Sequence, residues 1–277
     1  MVHQPQPIVV IDLFRPMLDA LLDLLGELVE REWSTPVSTG GWTVKQLAQH
    51  LLGGDVGILS RQRDAYQPGE TPIGGWEQLV ALINTLNASW VAATQRLSPR
   101  LLRELLAFTG LQVCEYFETL DPAAHGVPVS WAGPEAAPVW LDLAREYTER
   151  WHHQQQIRDA VGSPGLKQPH FFAPALDTFV RALPHTYRAV EAPEGQCVAL
   201  VITGDSGGRW LLRREQQHWR LYAGAHPAAD AQVYLDQETA WRLFTKGITR
   251  NEAAARAQIS GNRVLGGTVL ELIAVIA

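Results

Sequence analysis

The chain has 277 residues, 46% hydrophobic and 19% charged, with a formal net charge of −6. This composition excludes a disordered chain and supplies enough apolar mass for two cores. The acidic balance argues against nucleic acid or an anionic membrane as partner, since both reward clustered Lys and Arg. Cys114 and Cys197 are the only cysteines and share no CxxC spacing, so no disulfide framework is expected. The opening MVHQPQPIVVIDLF lacks the basic and long apolar regions of a secretion signal. No long apolar run is free of charge, so no membrane span is expected. The chain reads as a cytoplasmic protein, a monomer or small homo-oligomer.

Leu18, Leu21, Leu22, Leu25, Leu28 and Val29 recur at three- and four-residue steps, which predicts a first helix. It should start between Asp12 and Pro16, because proline belongs near a helix start. A second helix opens at Thr43, where Gln46 completes a T-x-x-Q capping box and Trp42 and Leu47 stand at hydrophobic-staple positions. Gly53-Gly54 interrupts its helical preference. A third helix is expected over Trp76–Leu97, with Leu79, Val80, Ile83, Leu86, Trp90 and Val91 on one side. Ser98-Pro99 then caps a fourth, reaching about Leu120. Residues 121–137 carry three prolines and two glycines and read as a long loop. A strong helix follows from Pro138 to Val161, with Gly162 as its stop. GSPGLKQP at 162–169 reads as a linker, and a further helix is expected over Ala173–Val190.

Beyond residue 195 the pattern turns to strands at Cys197–Thr203, Arg209–Arg213, His218–Tyr222 and Ala231–Leu235, with a glycine-rich turn at Gly204–Gly208. Asp236 caps a helix through Phe244, and Val264–Ile276 reads as a last helix. The fold class is therefore α plus α+β: a helical bundle over 1–165, then a small α+β domain over 166–277.

Chemistry concentrates in Glu149-Arg-Trp-His152-His153. Glu149 and His153 are four apart on a helix and project together, so a carboxylate and an imidazole can share one metal, as the histidines of HExxH motifs do. A solvated pair is the plainer reading of that spacing. His50 shares a helix face with Leu47, Leu51 and Gly54 and looks into the bundle, where facing helices build metal sites. Alone it reads as a core histidine. Three protein ligands would leave the fourth position of zinc open, the pattern of a catalytic site. His152 points about 100° from His153, so the two do not ligate together. Glu146 reads as a surface charge, with a supporting acceptor as the sharper alternative. His125 sits in the long loop with no supporting spacing. Cys114 and Cys197 lack a neighbouring base and read as buried structural thiols. Gly204–Gly208 lacks the GK[ST] of a phosphate loop, and the ten tryptophans read mostly as core.

Trp42-Thr43-Val44 leading into His50-Leu-Leu-Gly-Gly-Asp55 resembles the second-helix signature of the mycothiol-dependent maleylpyruvate isomerase family, a branch of the DinB-like metal-binding four-helix bundles. The stretch from Glu149 to Gly162 resembles that family's second metal-binding segment. Gln232–Gly247 and Ile259-Ser-Gly-Asn262 resemble its C-terminal domain, related in fold to sterol carrier proteins. The resemblance implies that His50, Glu149 and His153 bind a divalent metal, expected to be zinc. It implies mycothiol or an analogous low-molecular-weight thiol as cosubstrate, with an electrophilic small molecule as the second substrate. The reaction would be isomerisation, by addition to maleylpyruvate, rotation and departure, or S-transfer. It also implies an arginine from the C-terminal domain; Arg256 and Arg263 are candidates by region, and Gly261-Asn262 stands where the family has Gly-Asp. Two other readings remain beside this one: a metal-binding or apolar-ligand-binding module without catalysis, and a hydrolase using metal-bound water, for which no general base is evident.

Overall fold

In the computed structural model, which describes residues 2–37, 41–66, 69, 74–226 and 228–275, the first helical pattern forms α1 over Ile11–Glu27. It starts one residue earlier than expected. Pro16 lies inside it, so the carbonyl one turn back gains no bond from a proline nitrogen. Its buried face is Phe14, Met17, Leu21, Leu24 and Leu25, while Leu28 and Val29 fall beyond its end. Helix α2, Val44–Ile58, begins where the capping box places it: Gln46 N–H donates to Thr43 Oγ1 at 3.3 Å and Thr43 N–H to Gln46 Oε1 at 2.9 Å.

The expected break at Gly53-Gly54 does not occur, and α2 runs on into a wider π turn at Leu59–Arg63. The reason for Gly53 is packing. A Cβ there would stand 2.7 Å from the ring of Trp90, whose indole N–H donates to Gln49 O at 2.8 Å. Trp90 belongs to α3, Trp76–Ala93, which stops short of Leu97 and buries only Val91 of its expected apolar face. Helix α4, Pro99–Glu118, is capped by Ser98 as its sequence foretells. The core among these helices gathers Leu21, Leu25, Trp33, Val44, Leu47, Leu51, Leu102, Leu106 and Ile157.

Ile157 comes from α5, Val139–Val161, which Gly162 ends in a left-handed conformation (φ +69°). The segment expected to be a plain loop before α5 holds two short antiparallel strands, β1 His125–Pro128 and β2 Ala136–Pro138. Their three or four residues are too few to show alternation in sequence.

The chain divides into two compact units. The helical unit is Val10–Asp121 with Glu149–Leu166; the other takes residues 2–9, Pro122–Thr148 and Lys167–Val275, so α5 contributes residues to both. In the second unit, the helix expected over Ala173–Val190 is two: α6, Pro169–Val180, and α7, Leu183–Thr186. Pro184, in the first turn of α7, has no N–H to return to Val180, and the break falls just before α7, at Arg181-Ala182. A five-stranded sheet follows, β3 Cys197–Thr203, β4 Gly208–Glu215, β5 His218–Ala223, β6 Ala231–Asp236 and β7 Gln258–Gly261, in the order β5-β4-β3-β6-β7. Only β3 and β6 are parallel. Helix α8, Gln237–Phe244, follows β6 directly and is capped by Asp236. Helix α9, Arg250–Arg256, and β7 fall in a stretch without a sequence expectation. The last helix is shorter than expected: α10 covers Arg263–Gly267, a 3-10 turn follows at Thr268–Glu271, and Leu272 is extended. Ile276 lies outside the described residues. The fold class is thus mixed, helical in its N-terminal region and sheet-based in its C-terminal region, as the sequence pattern predicts. No helix among the described residues is long and apolar enough to cross a membrane.

Replacing Thr43 by Ala removes the side-chain acceptor at the start of α2. Urea unfolding should show a loss of about 1 kcal/mol; an unchanged midpoint would contradict the cap's contribution.

Candidate metal centre

The helical unit brings three donors together from two helices. His50 lies at the middle of α2, after Leu47 and Ala48, which are buried, and before Leu51. Its ring stands 5.2 Å from that of Trp42. Glu149 and His153 project from one face of α5, one turn apart. Glu149 Oε1 accepts from His50 Nε2 and from His153 Nε2, each at 3.0 Å. The two imidazoles meet nearly edge to face, at 82° with centroids 4.7 Å apart.

Both histidine side chains are largely covered, at 12% and 14% exposure, while Glu149 is 39% exposed. The cluster therefore opens to solvent through the carboxylate. Burial opposes the charge of Glu149, but the attraction of His153 and hydrogen bonds from both rings outweigh it and hold the carboxyl well below the usual range. Burial likewise disfavours a charged His153; the facing carboxylate and the hydrogen bonds from the ring overcome it and raise its pKa.

Two imidazoles and one carboxylate, with donor atoms within 4.8 Å of one another, can hold a divalent cation. Tetrahedral zinc ligands at about 2.1 Å stand about 3.4 Å apart, and two of the three donor pairs are already near that spacing. The donor set and its half-buried setting fit zinc. Three protein donors leave room for a further ligand, on the side where Glu149 is exposed.

A second link ties α2 to α5 beside this one. Arg150 Nη2 donates to Asp55 Oδ1 at 2.8 Å, and Thr109 Oγ1 of α4 donates to Asp55 Oδ2 at 3.0 Å. The Arg150 guanidinium also lies 5.9 and 5.8 Å from the ring centres of Phe14 and Phe117, within cation–π range. Asp55 and Arg150 are mostly buried, at 6% and 17% side-chain exposure.

The profile of the family described as "Mycothiol maleylpyruvate isomerase N-terminal domain" matches residues 14–158, over half of the chain. The chain belongs to that family. No curated protein matches it. Two solved structures, a mycothiol-dependent maleylpyruvate isomerase and a histidine-to-alanine mutant of it, share the fold. Each is 15% identical with a TM-score of 0.52, covering 84% of this chain and 86% of that chain. The family match spans all three donors of the centre.

The other sequence candidates lie elsewhere or take different roles. His152 is buried and stands outside the group of three donors, its ring 5.2 Å from that of His153. Glu146 is not the surface charge expected: it is buried and accepts from Arg145 Nη2 at 2.7 Å. His125 is exposed on β1. Arg256 ends α9 and Arg263 begins α10, both exposed in the sheet unit. Asn262 caps α10 by accepting from Leu265 N–H at 3.1 Å.

Burial pushes the Cys114 thiol up to about 11 and raises that of Cys197. No local pattern announces the Asp55–Arg150 link, whose partners lie 95 positions apart along the chain.

Two outcomes follow. Asp55→Ala strands the Arg150 charge in the bundle and should cost about 3–5 kcal/mol in urea unfolding, largely recovered when Arg150→Met is added; a loss under about 1 kcal/mol, typical of exposed pairs, would contradict the buried link. Neither cysteine should react with a disulfide-exchange reagent at pH 8 until the protein is unfolded, and rapid labelling of the native chain would contradict their burial.

Proposed function

We propose that this chain is a zinc-dependent enzyme that uses a low-molecular-weight thiol, with His50, Glu149 and His153 as the metal ligands. The observation that carries the proposal is the convergence of two imidazole nitrogens on one carboxylate oxygen, Glu149 Oε1, which gathers three donors in one place. Family membership supports the thiol, as do the mycothiol-dependent isomerases among the chains of like fold. The chain's own thiols point the same way. Cys114 and Cys197 are both buried, which disfavours either as the sulfur nucleophile.

A bound zinc ion would lower the pKa of a coordinated thiol, so that the thiolate forms near neutral pH without a basic side chain. The protein's part is placement. His50 and His153 present their Nε2 atoms from two helices, Trp42 flanks His50, and the exposed side of Glu149 marks the approach for a small thiol. For a maleylpyruvate-like substrate, the thiolate sulfur forms a bond to one alkene carbon and the π electrons move into the conjugated carbonyl. The resulting single bond rotates, and the electrons return to expel the thiolate with the trans double bond restored. S-transfer to another conjugated electrophile begins with the same sulfur–carbon bond and ends when the enolate takes up a proton from water, so that the thiol stays attached. A division between bundle and α+β domain at about residue 165 is favoured by the passage from Leu166 to Lys167, although residues 2–9 and Pro122–Thr148 group with the second unit.

Metal analysis of purified protein should find about one zinc per chain, lost in a folded His153→Ala variant. In the zinc-loaded protein, mycothiol should raise the melting temperature with increasing concentration. Full zinc occupancy in His153→Ala would overturn the ligand set, and no shift with any cellular thiol would overturn the thiol.

A further inference from the structure

Gln156 lies one turn beyond His153 on α5 and is buried. Its Oε1 accepts from His153 Nδ1 at 2.6 Å, while Nε2 of the same ring faces Glu149 Oε1 at 3.0 Å. An imidazole ligates through one nitrogen and keeps a proton on the other, and the hydrogen bond at the second nitrogen decides which is which. Resting on the metal reading above, we propose that Gln156 is the positioning residue of the centre. It holds the proton on Nδ1, so His153 ligates through Nε2, and it fixes the ring's rotation.

The neighbouring glutamines serve other groups. Gln154 donates through Nε2 to Met17 O at 3.0 Å, and Gln155 Oε1 accepts from Leu166 N–H at 3.1 Å. Of this run, Gln156 serves the ring. Its being an amide matters as well. A carboxylate would hold the same proton but place a second negative charge beside Glu149. With a neutral acceptor, a divalent ion bound by Glu149 and two neutral imidazoles keeps a net positive charge, which favours an anionic incoming ligand such as a thiolate.

The test is zinc affinity, measured by chelator competition, in Gln156→Met and Gln156→Glu, beside the melting temperature of each metal-free protein. The Met variant loses the acceptor and should bind zinc about 10–100-fold more weakly, out of proportion to any change in metal-free melting. The Glu variant keeps an acceptor and should bind at least as tightly as the wild type. Wild-type-like affinity in the Met variant, or an equal loss in both, overturns this inference alone. If the Met variant does not fold, nitrogen NMR of the zinc-loaded wild type decides: a protonated Nδ1 on His153 supports the assignment, and zinc on Nδ1 overturns it. A wild-type chain that takes up no zinc overturns the metal reading, and this inference with it.

Discussion

One carboxylate oxygen organises the helical unit's chemistry. Glu149 Oε1 accepts from two imidazoles, one on α2 and one on α5, both at 3.0 Å. Each partner is costly without the others. A buried imidazole needs its ring N–H satisfied, and a half-buried carboxylate needs positive or polar company. The three groups therefore hold one another, and each remains a donor that an ion can take over. The capping box sets where α2 begins and hence which face His50 presents, while the i,i+4 spacing on α5 sets Glu149 beside His153. A buried Asp55–Arg150 pair joins the same two helices again. Such a pair adds less to stability than its Coulomb attraction suggests, because both charges had to leave water. Its contribution here is register: it ties the residue next to Glu149 to the helix that carries His50.

Helix α5 shows how much polarity the fold accepts to build this arrangement. Between Trp151 and Ile157 nearly every position is buried, including His152, Gln154, Gln155 and Gln156. An all-round buried helix is ordinarily apolar. This one spends its polar groups on specific partners: the carbonyl of Met17, the N–H of Leu166 and the ring of His153. Arg158 extends the pattern, donating to Ala20 O and Pro164 O. The glutamines are the connections of α5 to the chain around it.

Much of this was legible in sequence where the signal is local. Thr43 and Gln46, Ser98 and Pro99, Asp236 and Gly162 punctuate their helices as capping rules say, and the strand from Cys197 to Thr203 has its expected bounds. The juxtaposition of Glu149 and His153 followed from helix geometry alone. Long-range facts were not legible. Gly53 reads as a helix breaker until Trp90 is seen packed on it, and Pro184 reads as incidental until the helix breaks just before α7. Glu146 reads as surface because nothing near it in sequence announces its burial. The third donor, His50, lies 99 positions from Glu149; only the resemblance to a family joined them, since spacing carries no information across that distance.

A metal role for these side chains requires one ion to bind both imidazoles and the carboxylate at once. Anomalous diffraction at the zinc edge, on crystals of zinc-loaded protein, tests it most directly. One strong peak per chain is expected, about 2.0–2.2 Å from His50 Nε2, His153 Nε2 and a Glu149 carboxylate oxygen. A peak held by other residues, or none between these three in a crystal soaked with zinc, would contradict it.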